Sequence, residues 1–228
     1  MSTYKELVYL CLDELKLHTD DAYFTEEHII FLLNKYRMFI LKQRYSDVKK
    51  HIPESNYQTI CLNLVRDTKG GSLCGDTYLR SSEEVPFLMK IGNPMIFPVD
   101  YYKGTIAYIS RERMKYVGYN KYLQNIIYAS IAPDNYLYLK SSNPQFLYLK
   151  KVSVTGIFED AELASKLHCS SNGSIDTCDI LDMNFPIEDA LVPPLIQLVV
   201  EELTKAEYKP SDLENNAKDD SSDVSIKQ

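Results

Sequence analysis

The chain contains no tryptophan, and its aromatic content rests on 18 tyrosines and 8 phenylalanines. Tyrosine joins apolar area to a polar tip, which suits surfaces buried against partners while still hydrogen bonding. No N-terminal stretch combines a basic segment, an apolar run and a small-residue cleavage site, so no secretory leader is expected. The longest apolar stretches, 29–33 and 195–200 (the latter interrupted by Gln197), fall far short of the roughly 20 residues that a membrane span needs. A basic excess is also missing. The 25 Lys and Arg stand against 32 Asp and Glu, a net charge of −7, which argues against a general nucleic-acid binder.

Catalytic and metal motifs are equally scarce. The five cysteines are at 11, 61, 74, 169 and 178. An odd count without a leader reads as reduced thiols in a cytosol. Cys11 and Cys61 read as plain core residues on a helix and a strand. His168, Cys169 and Cys178 invite a zinc reading, but the close paired spacing of structural zinc ligands is absent, and no family signature supports a Cys–His nucleophile. Gly70 and Gly71 lack the following pattern of a phosphate-binding loop. The acid pairs Glu83-Glu84, Glu201-Glu202 and Asp219-Asp220 read as solvated faces. No cofactor and no catalytic residue is expected.

Of the 228 residues, 45% are apolar and 25% charged, an ordinary globular balance that excludes wholesale disorder. The first 50 residues read as two helices. Thr3 with Glu6 makes a capping box, and Tyr4, Leu7, Val8, Cys11 and Leu15 then recur at helical spacing. Thr25 caps the second helix, which runs to about residue 45 with a seam of Ile29, Leu33, Tyr36 and Ile40. Ile30, Phe39 and Leu41 on its flanks indicate a helix wrapped by neighbours, another subunit among them. Lys35, Arg37, Lys42 and Arg44 place a basic stripe on the remaining face.

From 57 to 158 the period changes to that of strands. Ile60, Leu62 and Leu64 alternate with polar positions, and Pro86, Pro94 and Pro98 mark edge strands. Residues 105–110 read as a strand, and 111–116 as one helical turn or the continuation of a bend. The clearest hairpin is 125–131 with 136–140, joined by Ala132-Pro133-Asp134-Asn135. A further strand is expected over 146–158, a short helix over 160–167, and a helix from about Pro193 to Ala206. The expected fold class is α+β: a helical bundle (1–52 and 186–208) with an inserted β-rich domain (53–185) and a C-terminal tail (209–228) that is mobile in isolation. Tyr101, Tyr102, Tyr108, Tyr116, Tyr119, Tyr122, Tyr128, Tyr136, Tyr138 and Tyr148 crowd the β insert, interleaved with Lys115, Lys121 and Lys140. Such a surface fits subunit contact, and also stacking of single-stranded nucleic acid.

Several stretches carry a resemblance. They include YKELVYLCLDELK (4–16), NKYRMFILKQRYSDVKK (34–50) and SNYQTICLNL (55–64). IGNPMIFPVDYY (91–102), GYNKYLQNIIYASIAPDNYLYLKSSNPQFLYLK (118–150) and FPIEDALVPPLIQLVVEEL (185–203) continue it. Over nearly its whole length the chain resembles the ring protein, or head-to-tail adaptor, of crAss-like bacteriophages. The resemblance implies a non-enzymatic virion protein at the head–tail junction, made in the host bacterial cytoplasm. It also implies a homo-oligomeric ring of twelve, contacts with the portal protein and with further tail or connector rings, genomic DNA passing through without specific binding, and no membrane. The expected subunit contacts set Lys35, Arg37, Lys42 and Arg44 against Glu201, Glu202 or Glu207 of a neighbour. The tail, with Leu213, Asp219, Asp220, Asp223, Val224 and Ile226, is expected to order on a partner. Two alternatives remain: a virion component that binds DNA through the Tyr/Lys-rich insert, and an enzyme with distant catalytic groups in a deep polar pocket.

Deleting residues 209–228 is expected to weaken attachment to the portal while leaving the cooperative melt of the body intact. Calorimetry together with portal co-purification checks both halves, and loss of the melt counts against it.

Overall fold

A computed structural model describes residues 2–18, 24–46, 51–67, 78–100, 104–169 and 180–206. Cys74, Cys178, the loop at Gly70 and Gly71, Glu207 and the tail lie outside them. The fold is α+β, with helices α1 (Tyr4–His18), α2 (Glu26–Arg44), α3 (Ala161–Lys166) and α4 (Val192–Ala206). Its strands are β1 (Gln58–Asp67), β2 (Tyr78–Ser81), β3 (Met95–Pro98), β4 (Thr105–Tyr108), β5 (Ile126–Ile131), β6 (Leu137–Lys140) and β7 (Lys151–Gly156).

Local chemistry starts and stops the helices where the sequence says. The capping box forms: Glu6 N–H donates to Thr3 Oγ1 at 3.2 Å, and Thr3 N–H donates to Glu6 Oε2 at 2.9 Å. The Thr25 hydroxyl accepts from His28 N–H at 3.4 Å and opens α2. The Asp160 carboxylate accepts from Glu162 and Leu163 N–H and opens α3. Such caps are each worth about 0.5–2 kcal/mol. Pro193 and Pro194 fall in the first turn of α4, where an intrahelical donor is not required. Helices α1, α2 and α4 pack on one another, and Tyr4, Leu7, Leu33, Phe185, Leu195, Val199 and Leu203 share their core.

The strands form one seven-stranded sheet in the order β3-β7-β1-β2-β6-β5-β4. Only β4 and β5 run parallel; the other neighbours are antiparallel. The two edge strands β3 and β4 approach each other, so the sheet nearly closes. Ile60, Leu62, Leu79, Ile127, Leu139, Val152 and Val154 fill its core. The edge position of β3 matches its proline-rich sequence.

The strand expected over 146–158 is shorter. Residues Pro144–Tyr148 form a 3-10 turn opened by Asn143, whose side chain accepts from Gln145 N–H, and pairing begins only at Lys151. The early part alternates well enough for a strand, but Pro at the second turn position and the Asn cap favour the turn.

Arg37 is the largest departure from the sequence reading. It does not sit on an exposed stripe: it is fully buried. Its Nε–H donates to the Pro186 carbonyl at 2.7 Å, its Nη1 to the Phe158 carbonyl at 2.8 Å, and its Nη2 to the Asn56 carbonyl at 3.3 Å. These carbonyls lie just before β1, just after β7 and just before α4. Burial lowers the guanidinium's pKa to about 10, so it stays charged at neutral pH. The physical reason for its position is spacing. Arg37 lies four residues beyond Leu33, on the buried seam of α2.

Cys61 and Cys169 are corrected as well. They are joined as a disulfide across a sequence separation of 108 residues. An Ile60–His168 β-bridge and a bond from Cys61 N–H to the Leu167 carbonyl at 2.8 Å bring the two backbones together. Cys11 is buried in the helical core, where burial pushes its thiol up to about 12.

Two outcomes follow from these contacts. Arg37→Met should destabilise the fold by about 3–5 kcal/mol, since three carbonyls lose a charged donor, and Arg37→Lys should recover only part of that. Urea denaturation of both variants measures it. Cys61→Ser should cost about 2–4 kcal/mol under non-reducing conditions. A reductant should lower the melting temperature of the wild type and leave that of Cys61→Ser unchanged.

Candidate functional site

Three surface features carry apolar or charged groups that the fold itself does not use. The first is the face shared by α2 and α4. Lys35 Nζ lies 3.7 Å from Glu202 Oε1, and Arg44 Nη2 lies 3.4 Å from Glu188 Oε1. Glu201 pairs with Lys205 along α4, and Lys42 is exposed. Lys35 and Glu202 thus pair with each other within one chain. Exposed pairs of this kind contribute at most about 1 kcal/mol. Beside them a depression of about 430 Å³ is lined by Phe39, Pro194, Leu198, Arg44 and Glu201. Phe39 is 56% exposed, in keeping with a helix that has apolar cover on more than one side.

The second feature is an aromatic tip between β4 and β5. Residues Arg113–Lys115 form a 3-10 turn, and Met114 beneath it buries against Ala132 and Tyr138. The Asn120 side chain accepts from Tyr122 N–H at 2.9 Å, and the Ser142 hydroxyl donates to the Asn120 carbonyl at 3.3 Å. Gly118 has φ +85°, and a Cβ there would press on the Lys140 side chain at 3.1–3.3 Å, so only glycine fits. Lys140 is buried, with its ammonium 4.1 Å from the centre of the Tyr119 ring and 5.6 Å from that of Tyr78. On this held backbone Tyr116 and Tyr122 are more than 80% exposed, flanked by the exposed Arg111, Arg113 and Lys115.

A cleft of about 770 Å³ between α2, residues 84–87 and α3 is the third. Exposed Phe31, Phe87 and Leu163 line it, with Glu27, Glu84, Glu159 and Glu162 around them. Sequence reading missed this cleft, because its walls come from three separated segments. Neither Phe31 nor Phe87 announced it, since Phe31 sits inside the apolar run 29–33 and Phe87 between Pro86 and Leu88.

The largest pKa displacements lie elsewhere. Burial lowers that of Arg37 and raises those of Tyr4 and Cys11, and all three sit between the helices rather than in these surface features. The surfaces offer apolar anchors ringed by charge, the make-up of a protein–protein contact.

The family model described as Phage tail ring protein 2 matches residues 6–221. The chain belongs to that family. Ring protein 2 of Bacteroides phage crAss001 is 61% identical over 225 residues, covering 97% of this chain and 99% of that relative. The resemblance drawn from the sequence stretches thus holds along nearly the whole chain. As a phage ring protein it is a structural component of the virion. Among the described residues, no helix of this ring protein is long and apolar enough to cross a membrane.

Proposed function

We propose that copies of this ring protein close into a ring of twelve at the head–tail junction, between the portal and the tail, around the channel through which DNA leaves. The 61% identity to a protein named Ring protein 2 over almost all of both chains carries this reading. The surfaces support it. A closed ring needs heterologous contacts, in which one face of a copy meets a different face of the next. The α2–α4 depression, the aromatic tip and the cleft are different in shape and charge. Helical segments 1–52 and 186–208 form the ring-building part, with Lys42, Arg44 and Glu201 on its contact face. Glu207 belongs with the subunit contacts, and residues 209–228 reach onto the portal through Leu213, Val224, Ile226 and the acids Asp219, Asp220 and Asp223.

The charge balance fits a conduit. Duplex DNA carries one charge per about 1.7 Å of axis, and each neutralised phosphate adds salt-dependent affinity. A chain with a net charge of −7 limits that drag on passing DNA. The protein is made in the host cytoplasm and functions in the neck of the particle, with no membrane and no cofactor.

Electron microscopy of intact particles tests this reading. The expected result is twelve copies, coaxial with the portal and below it. A position outside the neck, or copies that do not close around the channel, would sink it.

A further inference from the structure

We infer that the aromatic tip of one copy seats in the acidic-rimmed cleft of a neighbouring copy. This rests on the ring reading and names the contact that closes the ring.

Charge is the first argument. The cleft is lined by five acids and two lysines. Neither lysine is spare: Lys166 Nζ sits 2.8 Å from Glu162 Oε1, and Lys35 bridges Glu202. Exposed Glu27, Glu84 and Glu159 leave the rim negative. The tip carries Arg111, Arg113 and Lys115 against one acid, Glu112. Opposite patches of this kind steer encounter and fix register.

Apolar fit is the second argument. Phe31 and Phe87 are each 63% exposed in the cleft, and Leu163 is 49% exposed. The tip presents three tyrosines on a backbone already held by Gly118, Asn120 and Met114. Rigid aromatic anchors that enter apolar pockets dominate interface energetics, and pre-ordering reduces the entropy lost on docking.

Placement excludes the chain's own tip as the occupant. Asn135, at the turn of the β5–β6 hairpin, lines the cleft, and its carbonyl accepts from Val85 N–H at 2.7 Å. Residues 118–122 are pinned at the other end of that hairpin, against Lys140 and Ser142. The tip is packed on its own hairpin, from Met114 on Ala132 and Tyr138 to Gly118 on Lys140, and none of residues 109–125 lines the cleft of the same chain, so a tip that fills the cleft comes from another copy. The two patches differ, so the contact repeats head to tail, as a ring requires.

The experiment uses full-length protein in assembled particles. A photo-crosslinker is installed as Phe87→p-benzoylphenylalanine, and illumination should give a ladder of linked copies whose junction peptides join position 87 to residues 111–123. In parallel, Arg111→Glu with Arg113→Glu, or Glu27→Lys with Glu84→Lys, should each cut the yield of assembled particles about tenfold or more. Combining the two pairs in one chain should restore most of the yield. All four positions are exposed, and unchanged melting of the purified variants checks the fold. If a variant fails to fold, the crosslink decides alone. Junctions elsewhere on a sibling, or to a different virion protein, overturn the contact while leaving the ring standing. Salt-sensitive binding of a labelled single-stranded oligonucleotide, lost in Arg111→Glu with Arg113→Glu, overturns it in favour of nucleic-acid stacking. A particle map without a ring of this chain removes the ring reading itself.

Discussion

A single buried guanidinium joins the two halves of this molecule. Arg37 sits where the chain enters the sheet, leaves it and turns back into the helices, and it binds a backbone carbonyl from each place. A charge inside a protein is costly unless its donors are satisfied. Here three neutral carbonyls satisfy them, and those carbonyls would otherwise need other partners. Asn56 reinforces the junction: its carbonyl accepts from Arg37 and its side-chain oxygen accepts from Glu188 N–H at 3.0 Å. The orientation of the helices on the sheet therefore depends on one planar, five-donor side chain. Lysine, with a compact ammonium, does not reproduce that geometry.

The helices were legible because local rules decide them. Thr3, Thr25 and Asp160 cap where short-range chemistry places them, and the 3.6-residue period of α1 and α4 marks their buried faces. The edge character of β3 was legible from its prolines. What the sequence hid depends on distant neighbours. Arg37 falls on the seam of α2 by spacing alone, yet charge argues for the surface, and only its three carbonyl partners reverse that. The Cys61–Cys169 bond spans 108 residues, so no local spacing announces it. Parallel pairing of β4 with β5 is likewise a long-range choice. The cleft is the extreme case, since α2, residues 84–87 and α3 become walls only after folding.

A ring protein has to hold two requirements together. Its interior must be stable as a single copy, and its surface must remain incomplete until siblings arrive. The structure separates these tasks. Buried polar work is concentrated at Arg37, Asn56 and Lys140, while Phe31, Phe39, Phe87, Tyr116 and Tyr122 are left toward solvent. Exposed apolar groups of this size are a liability for an isolated chain and an asset for an assembling one. A net charge of −7 offsets the liability by keeping free copies apart in solution.

The parallel pair has a consequence for the aromatic tip. Two parallel neighbours cannot be joined by a tight turn; the connection must cross over, and here residues 109–125 make the crossing. That crossing is also where Tyr116, Tyr119 and Tyr122 are mounted. Its shape exists only once β4 has docked beside β5 and Lys140 lies under Gly118. A copy in which β4 has not paired with β5 therefore does not hold these three tyrosines in this arrangement.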